Sequence, residues 1–422
     1  MSVATYTPNF PANILKLDNG LTIIHQYISA TPVVVLDVWV RAGARQEPDH
    51  WSGMAHFLEH MIFKGTEKLG PGIFDQIIEN RGGMANAATS HDYAHFFVTT
   101  AAQYLEEIVS ALAELLLRAS IPESEFTREL EVVLEEIRQS QDCPDSVGFQ
   151  ALMENVYQRH PYRRAILGTE ELLRQREVNE MRCFHHNHYQ PENMAVVVVG
   201  GVERSQVIDL VSTAFEKFSE KCCDCPRAEI EAEPLITNVR RQEIYLPRLE
   251  QGRLTMAWIG PGVDRIDDAY GLDLVSVLLA DGRSSRLVRE LREDLGLVQG
   301  ICSNFSLQQD SSLFTISAML EPKDIPEVEA RICDRISELL TLDIPAGELA
   351  RCKRLLCNDY AFSTESPGQL AGLYGYYFTI ATPELAVTYP QKITEFQSKE
   401  LLNLAEKYLS PNCYATTVLI PA

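Results

Sequence analysis

The amino-acid sequence predicts a mixed α/β protein in two halves that share one plan. Three observations carry this. The chain has 422 residues, 45% of them hydrophobic, which is too long for one ordinary domain and enough for two or three sizeable cores. Helix formers and β-branched runs are both plentiful. The order of elements also restarts after residue 240.

The first half opens with two strands. Asp18-Asn19-Gly20 is a turn signal, followed by the β-rich runs Leu21 to Tyr27 (LTIIHQY) and Val33 to Val40 (VVVLDVWV). Gly53 to Phe63 is an apolar helix. Phe74 to Asn80 is another, ended by Arg81-Gly82-Gly83. Asn86 to Thr100 reads as a strand pair or one long strand. Tyr104 to Ala119 is helical by its leucine spacing. Ser124 to Ser140 is a long helix, entered through Ile121-Pro122 and closed before Pro144. Met194 to Val199 is a buried strand ended by Gly200-Gly201.

Residues 219–240 hold Lys221-Cys222-Cys223-Asp224-Cys225-Pro226 and then an acidic stretch with little periodicity. They read as a linker between a first domain, 1–218, and a second, 241–422. In the second, Arg253 to Ile259 takes the place of Val33 to Val40, and Tyr270 to Leu279 that of Gly53 to Phe63. Ser311 to Leu320 matches Asp92 to Thr100, and Leu401 to Tyr408 with Cys413 to Ile420 repeats the final helix and strand.

Composition narrows the function. The net charge is −22, from 37 basic against 59 acidic residues. Such a surface repels phosphate backbones, so no nucleic-acid partner is expected. Charged residues at 23% and ordinary Gly and Pro content argue against disorder. Met1 to Ile14 has neither a basic start nor an apolar core segment, so no secretory signal is expected. No window reaches the roughly 18 continuous apolar residues that span a bilayer. The expectation is a soluble cytoplasmic protein without a membrane span. Ten cysteines are too sparse for a disulfide scaffold. Cys222, Cys223 and Cys225 have no partner cluster at zinc-finger spacing, so they read as a reduced surface segment.

The first helix carries the chemistry. In His56-Phe57-Leu58-Glu59-His60 the two histidines are four apart, so they project from one face, one turn apart. Two imidazoles at that spacing can share a tetrahedral ion, and Glu59 sits on the edge of the same face. Met54, Ala55, Phe57, Leu58, Met61, Ile62 and Phe63 make the helix apolar nearly all round, hence buried. Burying two histidines and a glutamate without partners costs several kcal/mol, and a divalent metal supplies the compensating charge. The order of residues is the inverted form of the common zinc-protease motif. A hydrolytic zinc takes three protein ligands and keeps one position for water. The Ser124 to Ser140 helix offers the third ligand. Glu129 and Glu136 are seven apart and lie together beside the stripe of Phe126, Leu130, Val133 and Ile137, whereas Glu131 and Glu135 point more outward. Periodicity alone does not choose between Glu129 and Glu136.

Beyond these motifs, the chain resembles the pitrilysin family of inverted-motif zinc metallopeptidases. It is most similar to the short members, such as the mitochondrial processing peptidase beta subunit and its bacterial homologues. The resemblance rests on Asp18 to Leu21, Arg41-Ala42-Gly43-Ala44-Arg45, His56 to Thr66, Gly82-Gly83 with Asn86-Ala87-Ala88-Thr89, Glu129 to Glu136, His160-Pro161-Tyr162, Tyr189 to Met194, and Ser284 to Leu287 with Leu291-Arg292-Glu293. It implies an α+β fold of two similar α/β halves, each a mostly antiparallel sheet backed by helices, packed as a clam shell. It implies zinc held by His56, His60 and Glu136, Glu59 as catalytic base, and Glu129 as a supporting acid. It implies a peptide bound as an added strand along Asn86 and Ala87, with Arg292 aiding substrate binding. The family expects a tyrosine seven residues after Arg292, and here that position is Gln299. An intact metal site with a broken Arg/Tyr pair resembles the catalytic subunit of a two-chain enzyme. A dimer is therefore expected, favouring a heterodimer with a related metal-free subunit that supplies the pair. The competing expectation is a non-catalytic structural subunit, similar to respiratory-complex core proteins of this fold.

Overall fold

The computed structural model of the protein describes residues 10–222 and 224–422. The residues before Phe10, which include most of the amino-terminal stretch read above, and Cys223 lie outside the described residues. The elements run β1 (Asn13–Lys16), β2 (Thr22–Tyr27), β3 (Val33–Val40), α1 (Met54–Ile62), α2 (Ile73–Asn80), β4 (Met84–Thr89), β5 (Ala94–Ala101), α3 (Leu105–Leu117), α4 (Glu123–Asp142), α5 (Pro144–Val156), α6 (Glu170–Leu173), α7 (Val178–His188), β6 (Met194–Gly200) and α8 (Arg204–Ala214). They continue with β7 (Arg240–Leu246), β8 (Gly252–Pro261), α9 (Ile266–Ala280), a π-helical stretch (Val288–Asp294), β9 (Val298–Ser306), β10 (Ser311–Leu320), α10 (Ile325–Thr341), α11 (Ala346–Phe362), α12 (Pro367–Ile380), α13 (Tyr389–Glu395), α14 (Ser398–Tyr408) and β11 (Ala415–Pro421).

Two compact units result. The first comprises residues up to Arg138, Ala165–Glu229 and Ser363–Thr388, and the second Gln139–Arg164, Ile230–Phe362 and Tyr389 onward. These units do not coincide with the contiguous spans 1–218 and 241–422 expected from the sequence. The α5 region belongs with the second unit and the α12 region with the first. The reason is burial. Helix α12 is apolar nearly all round, with Ala371, Tyr374, Gly375, Tyr377 and Phe378 buried, and it packs on β3 and β6. A Cβ on Gly375 would lie 2.1 Å from Trp39 Nε1, so only glycine lets this helix approach β3 so closely. Arg41 fixes it further, its guanidinium 4.3 Å from the Phe378 ring centroid.

The sheet of the first unit has the order β1-β2-β6-β3-β5-β4 and that of the second β7-β11-β8-β10-β9. β2 pairs parallel to β6, as β7 does to β11. The pairs β6–β3, β3–β5 and β5–β4 are antiparallel, as are β11–β8, β8–β10 and β10–β9. The two sheets therefore repeat one topology, with β1 as an extra edge strand. β3 and β6 are almost wholly buried, as strands covered on both faces should be, which is why their sequences read as unbroken apolar runs. β4 alternates exposed and half-buried residues, the mark of an edge strand. Asn86 to Thr100 resolves into two strands around the turn at residues 90–93. No helix among the described residues is long and apolar enough to cross a membrane.

Candidate metal centre

Helix α1 is set by the loop before it. Gly53 has φ +94°, and a Cβ there would meet the Leu167 carbonyl oxygen at 2.7 Å, so this entry requires glycine. Glu47, wholly buried, accepts hydrogen bonds from the Gly53 N–H at 3.0 Å and the Ala55 N–H at 2.7 Å. Its carboxylate satisfies first-turn donors and complements the positive end of the helix dipole. Met54, Ala55, Phe57, Leu58, Met61 and Ile62 are buried. That leaves His56, Glu59 and His60 on the less covered face, with the imidazole centroids 4.7 Å apart.

Helix α4 brings both candidate carboxylates to this face, in different roles. Glu136 Oε2 lies 3.5 Å from His56 Nε2 and 3.5 Å from His60 Nε2. Among the described residues these three are the group whose donor atoms converge closely enough to share an ion. Glu129 stands behind, its Oε1 2.9 Å from His60 Nδ1 and its Oε2 2.6 Å from Lys64 Nζ. A carboxylate on Nδ1 fixes the tautomer that presents Nε2 as a lone pair. The alternative left open by periodicity is thus resolved in space: Glu136 faces both imidazoles, and Glu129 orients one of them. Glu131 and Glu135 face outward onto Arg174 and Arg138.

The donor set fits zinc. It is two imidazole nitrogens and one carboxylate oxygen, the composition of a catalytic rather than a closed structural site. Burial, with His60 beside it, lowers the His56 pKa to about 4, so the ring is neutral near pH 7, the form a metal needs.

Glu59 flanks the triad without joining it. Burial pushes its pKa up and Glu136 adds to this, while a hydrogen bond from Thr89 and the neighbouring His60 and His95 pull it down. Thr89 Oγ1 donates to Glu59 Oε2 at 2.5 Å, tying the end of β4 to α1. His95 Nδ1 is 3.1 Å from Asp37 Oδ1, and its ring stacks on Trp39 at 4.2 Å. Tyr189, fully enclosed, has its hydroxyl pKa raised by burial first and by Glu59 second.

The remaining residues expected from the sequence lie elsewhere. Asn86 is exposed on the edge strand β4 and Ala87 is half-buried beside it; Asn86 Oδ1 accepts from the Ala87 N–H at 2.9 Å. Arg292 lies in the second unit, in the π-helical stretch, paired with Glu293 at 2.7 Å. Gln299 is exposed near the start of β9, an edge strand of that unit. Sequence reasoning gave no role to Glu47, Lys64 or His95, and placed Thr89 only at the end of the Asn86 to Thr89 stretch, not as the partner of Glu59. Only Lys64, four residues after His60, carried a readable signal, since i,i+4 places it on the same face.

A convergent His/His/Glu group with a separate glutamate beside it, on a duplicated sheet-and-helix fold, defines a class: metallohydrolase-type centres carried by one half of a two-unit chain. The chain belongs to peptidase family M16, the insulinase and pitrilysin family. The family description "Insulinase (Peptidase family M16)" matches residues 22–170, and "Peptidase M16 inactive domain" matches residues 177–356. The zinc protease PqqE of Helicobacter pylori is 28% identical, covering 100% of this chain and 95% of that protein. The mitochondrial-processing peptidase subunit beta of Neurospora crassa is 33% identical over 48% of this chain and 42% of its own length. A crystal structure of a protease from Helicobacter pylori superposes with a TM-score of 0.90 at 27% identity, over 97% of this chain and 99% of that one.

Proposed function

We propose that the chain is a zinc-dependent endopeptidase. The observation that carries this is the placing of one carboxylate oxygen of Glu136 3.5 Å from both His56 Nε2 and His60 Nε2, with Glu59 alongside but outside the group. Zinc held by these three atoms supplies Lewis-acid polarisation of a carbonyl and acidifies water. The chain's own residues do the rest. Glu129 orients His60. Glu59 takes the proton of the attacking water and delivers it to the leaving amine. Thr89 holds the Glu59 carboxylate against β4. The peptide lies as an added strand along the edge of β4 near Asn86 and Ala87, where main-chain bonding tolerates many sequences, including unfolded, presequence-like segments. Asn86 must release the Ala87 N–H as such a strand docks.

The working form is proposed to be a dimer with a related, metal-free subunit. The ground is Gln299: a carboxamide donates a hydrogen bond but differs from a phenol in reach and acidity. The "inactive domain" match covers 177–356, a stretch that lacks the triad, so it does not argue for a non-catalytic chain.

Metal analysis combined with hydrolysis of a quenched-fluorescent peptide panel tests the reading. Wild type and Glu59→Gln should both hold equimolar zinc. Wild type should cleave and be stopped by a chelator, and the variant should be slower by about 10²–10⁴-fold. Zinc-replete protein that cleaves nothing, alone or with a related metal-free subunit, would overturn it. Full cleavage by the chain alone would sink only the two-chain form.

A further inference from the structure

A lysine stands at the foot of the group that gathers between α1 and α4. Lys64 lies just past the end of α1, its N–H still bonded to the Met61 carbonyl at 3.1 Å. As the contacts between the two segments run back along α1, they run forward along α4. Beside Lys64, the Gly65 carbonyl accepts from the Ser120 N–H at 3.1 Å and from the Ser120 hydroxyl at 3.0 Å, just before α4 begins. Lys64 Nζ then meets Glu129 Oε2 at 2.6 Å. One turn further back, His60 meets Glu129 through Nδ1 and Glu136 through Nε2, and His56 meets Glu136 last.

Glu129 is therefore gripped on both oxygens. Its Oε1 lies 2.9 Å from His60 Nδ1 while its Oε2 is on the Lys64 ammonium. A glutamate side chain is rich in rotamers, and a carboxylate held at one oxygen can still swing. Held at both, with a charge-assisted bond on the lysine side, it keeps one orientation and gives the imidazole one as well. Side-chain exposure is 27% for Lys64 and 10% for Glu129, so solvent screens this pair less than the open surface pairs that contribute almost nothing. Lys68 makes the contrast: its side chain is 78% exposed, and it pairs with Glu114, away from the imidazoles.

We propose that Lys64 is a positioning residue for the metal centre, acting through Glu129. The inference rests on the reading of His56, His60 and Glu136 as zinc ligands. By holding Oε2, the Lys64 ammonium keeps Oε1 on His60 Nδ1 and so turns Nε2 towards Glu136. It also separates the two glutamates by role: Glu129 is occupied on both oxygens, and Glu136 is left for the ion. Charge alone would act the other way, since removing a cation near a dication favours the dication. Lys64 and Glu129 cancel as a pair, and a Glu129 released from Lys64 can turn away from His60, so the field gained at the site is small. Orientation decides the sign, and loss of Lys64 loosens zinc.

The test is competition for zinc between the full chain and a chromogenic chelator. Lys64→Met should weaken zinc binding about 5-fold, less than the roughly 10–100-fold expected of Glu129→Ala, because it acts one link further from the ion. Lys64→Arg, which keeps the charge and the donors, should restore affinity, and Lys68→Met should match wild type. In the Glu129→Ala background, Lys64→Met should add no further loss, the signature of two residues acting as one. Should Lys64→Met fail to fold, Lys64→Gln makes the same comparisons. Unchanged or tighter zinc in Lys64→Met would overturn the proposal, as would an Arg variant no better than the Met variant. So would an equal loss with and without Glu129. Wild type that binds no zinc at all would overturn the ligand reading itself, and this proposal with it.

Discussion

The two units place the same helix in the same position and use it differently. Helix α1 follows β3 and helix α9 follows β8, at equivalent points of matching sheets. α1 is short, capped by the Glu47 carboxylate, and presents His56, Glu59 and His60. α9 is six residues longer (15 against 9), has no side-chain cap, and buries Ala269 to Leu272 and Leu274 to Ala280. Its one acidic residue inside that run, Asp273, is hydrogen-bonded by the Tyr389 hydroxyl. The third-ligand helix diverges likewise: α4 supplies Glu129 and Glu136, while the buried positions of α11 are Leu349, Cys352 and Leu356. The lesson is that the fold provides only places. A metal centre needs polar donors at three of them, and the unit without them becomes apolar core.

Breaking the asymmetry at its centre should have the largest effect. Glu136→Ala removes the carboxylate that faces both imidazoles, so bound zinc should drop below detection after dialysis and peptide cleavage should vanish. Zinc retained at wild-type stoichiometry would mean that the triad is not the site. Glu129→Ala should cost less, because it removes the partner of His60 Nδ1 and of Lys64 rather than the oxygen that faces both imidazoles. A 10–100-fold loss in metal affinity or cleavage rate is expected, read by competition with a chromogenic chelator.

The second unit offers the complementary test. Burial, reinforced by Asp359 and Asp281 and opposed by the Tyr389 bond, raises the Asp273 pKa to about 6. The folded chain therefore keeps a proton that the unfolded chain releases near pH 4. The folded state binds more protons between about pH 4 and pH 6, so stability falls as pH rises through that window, and the contribution of this one protonated carboxyl is fully lost above it. Asp273→Asn should leave stability unchanged below pH 4 and gain about 3 kcal/mol relative to wild type by pH 7, measured by urea unfolding at both values. A constant difference across pH would show that this carboxyl does not titrate in the window. The smallest expected effect is that of Glu47→Ala. Loss of the cap should cost about 1–2 kcal/mol and loosen zinc only slightly, whereas the uncapped α9 has no equivalent to lose.

Much of this was legible in the sequence. The period of α1 put His56 and His60 on one face, and the apolar residues around them signalled a helix packed into the core. The repeat of strand and helix order announced the matching sheets. What stayed hidden has physical causes. Glu129 and Glu136 share a helix side, so only the angle of α4 against α1 separates their roles. Glu47 caps from a loop, a bond that no periodicity encodes. Thr89 looks like an ordinary residue at a strand end until the Glu59 carboxylate meets it. Ser219 and Lys221 are far along the chain from α7, and their return to Gln190 and Glu192 just past it leaves no compositional trace. The exchange of the α5 and α12 regions is invisible for the same reason, since both helices are ordinary amphipathic or apolar stretches where they stand.

That exchange governs how the chain can be divided. The backbone passes from one unit to the other at 138–139, 164–165, 229–230, 362–363 and 388–389. A gene split at the acidic stretch near residue 230 would leave the amino-terminal product without α12, baring Trp39 and the buried face of β3. The carboxy-terminal product would lack α5 and the residues of it that line its core. Each product would carry a helix suited to the other's sheet, so the two should fold well only when co-expressed. Each unit thus takes one of its helices from the stretch of sequence that otherwise builds the other.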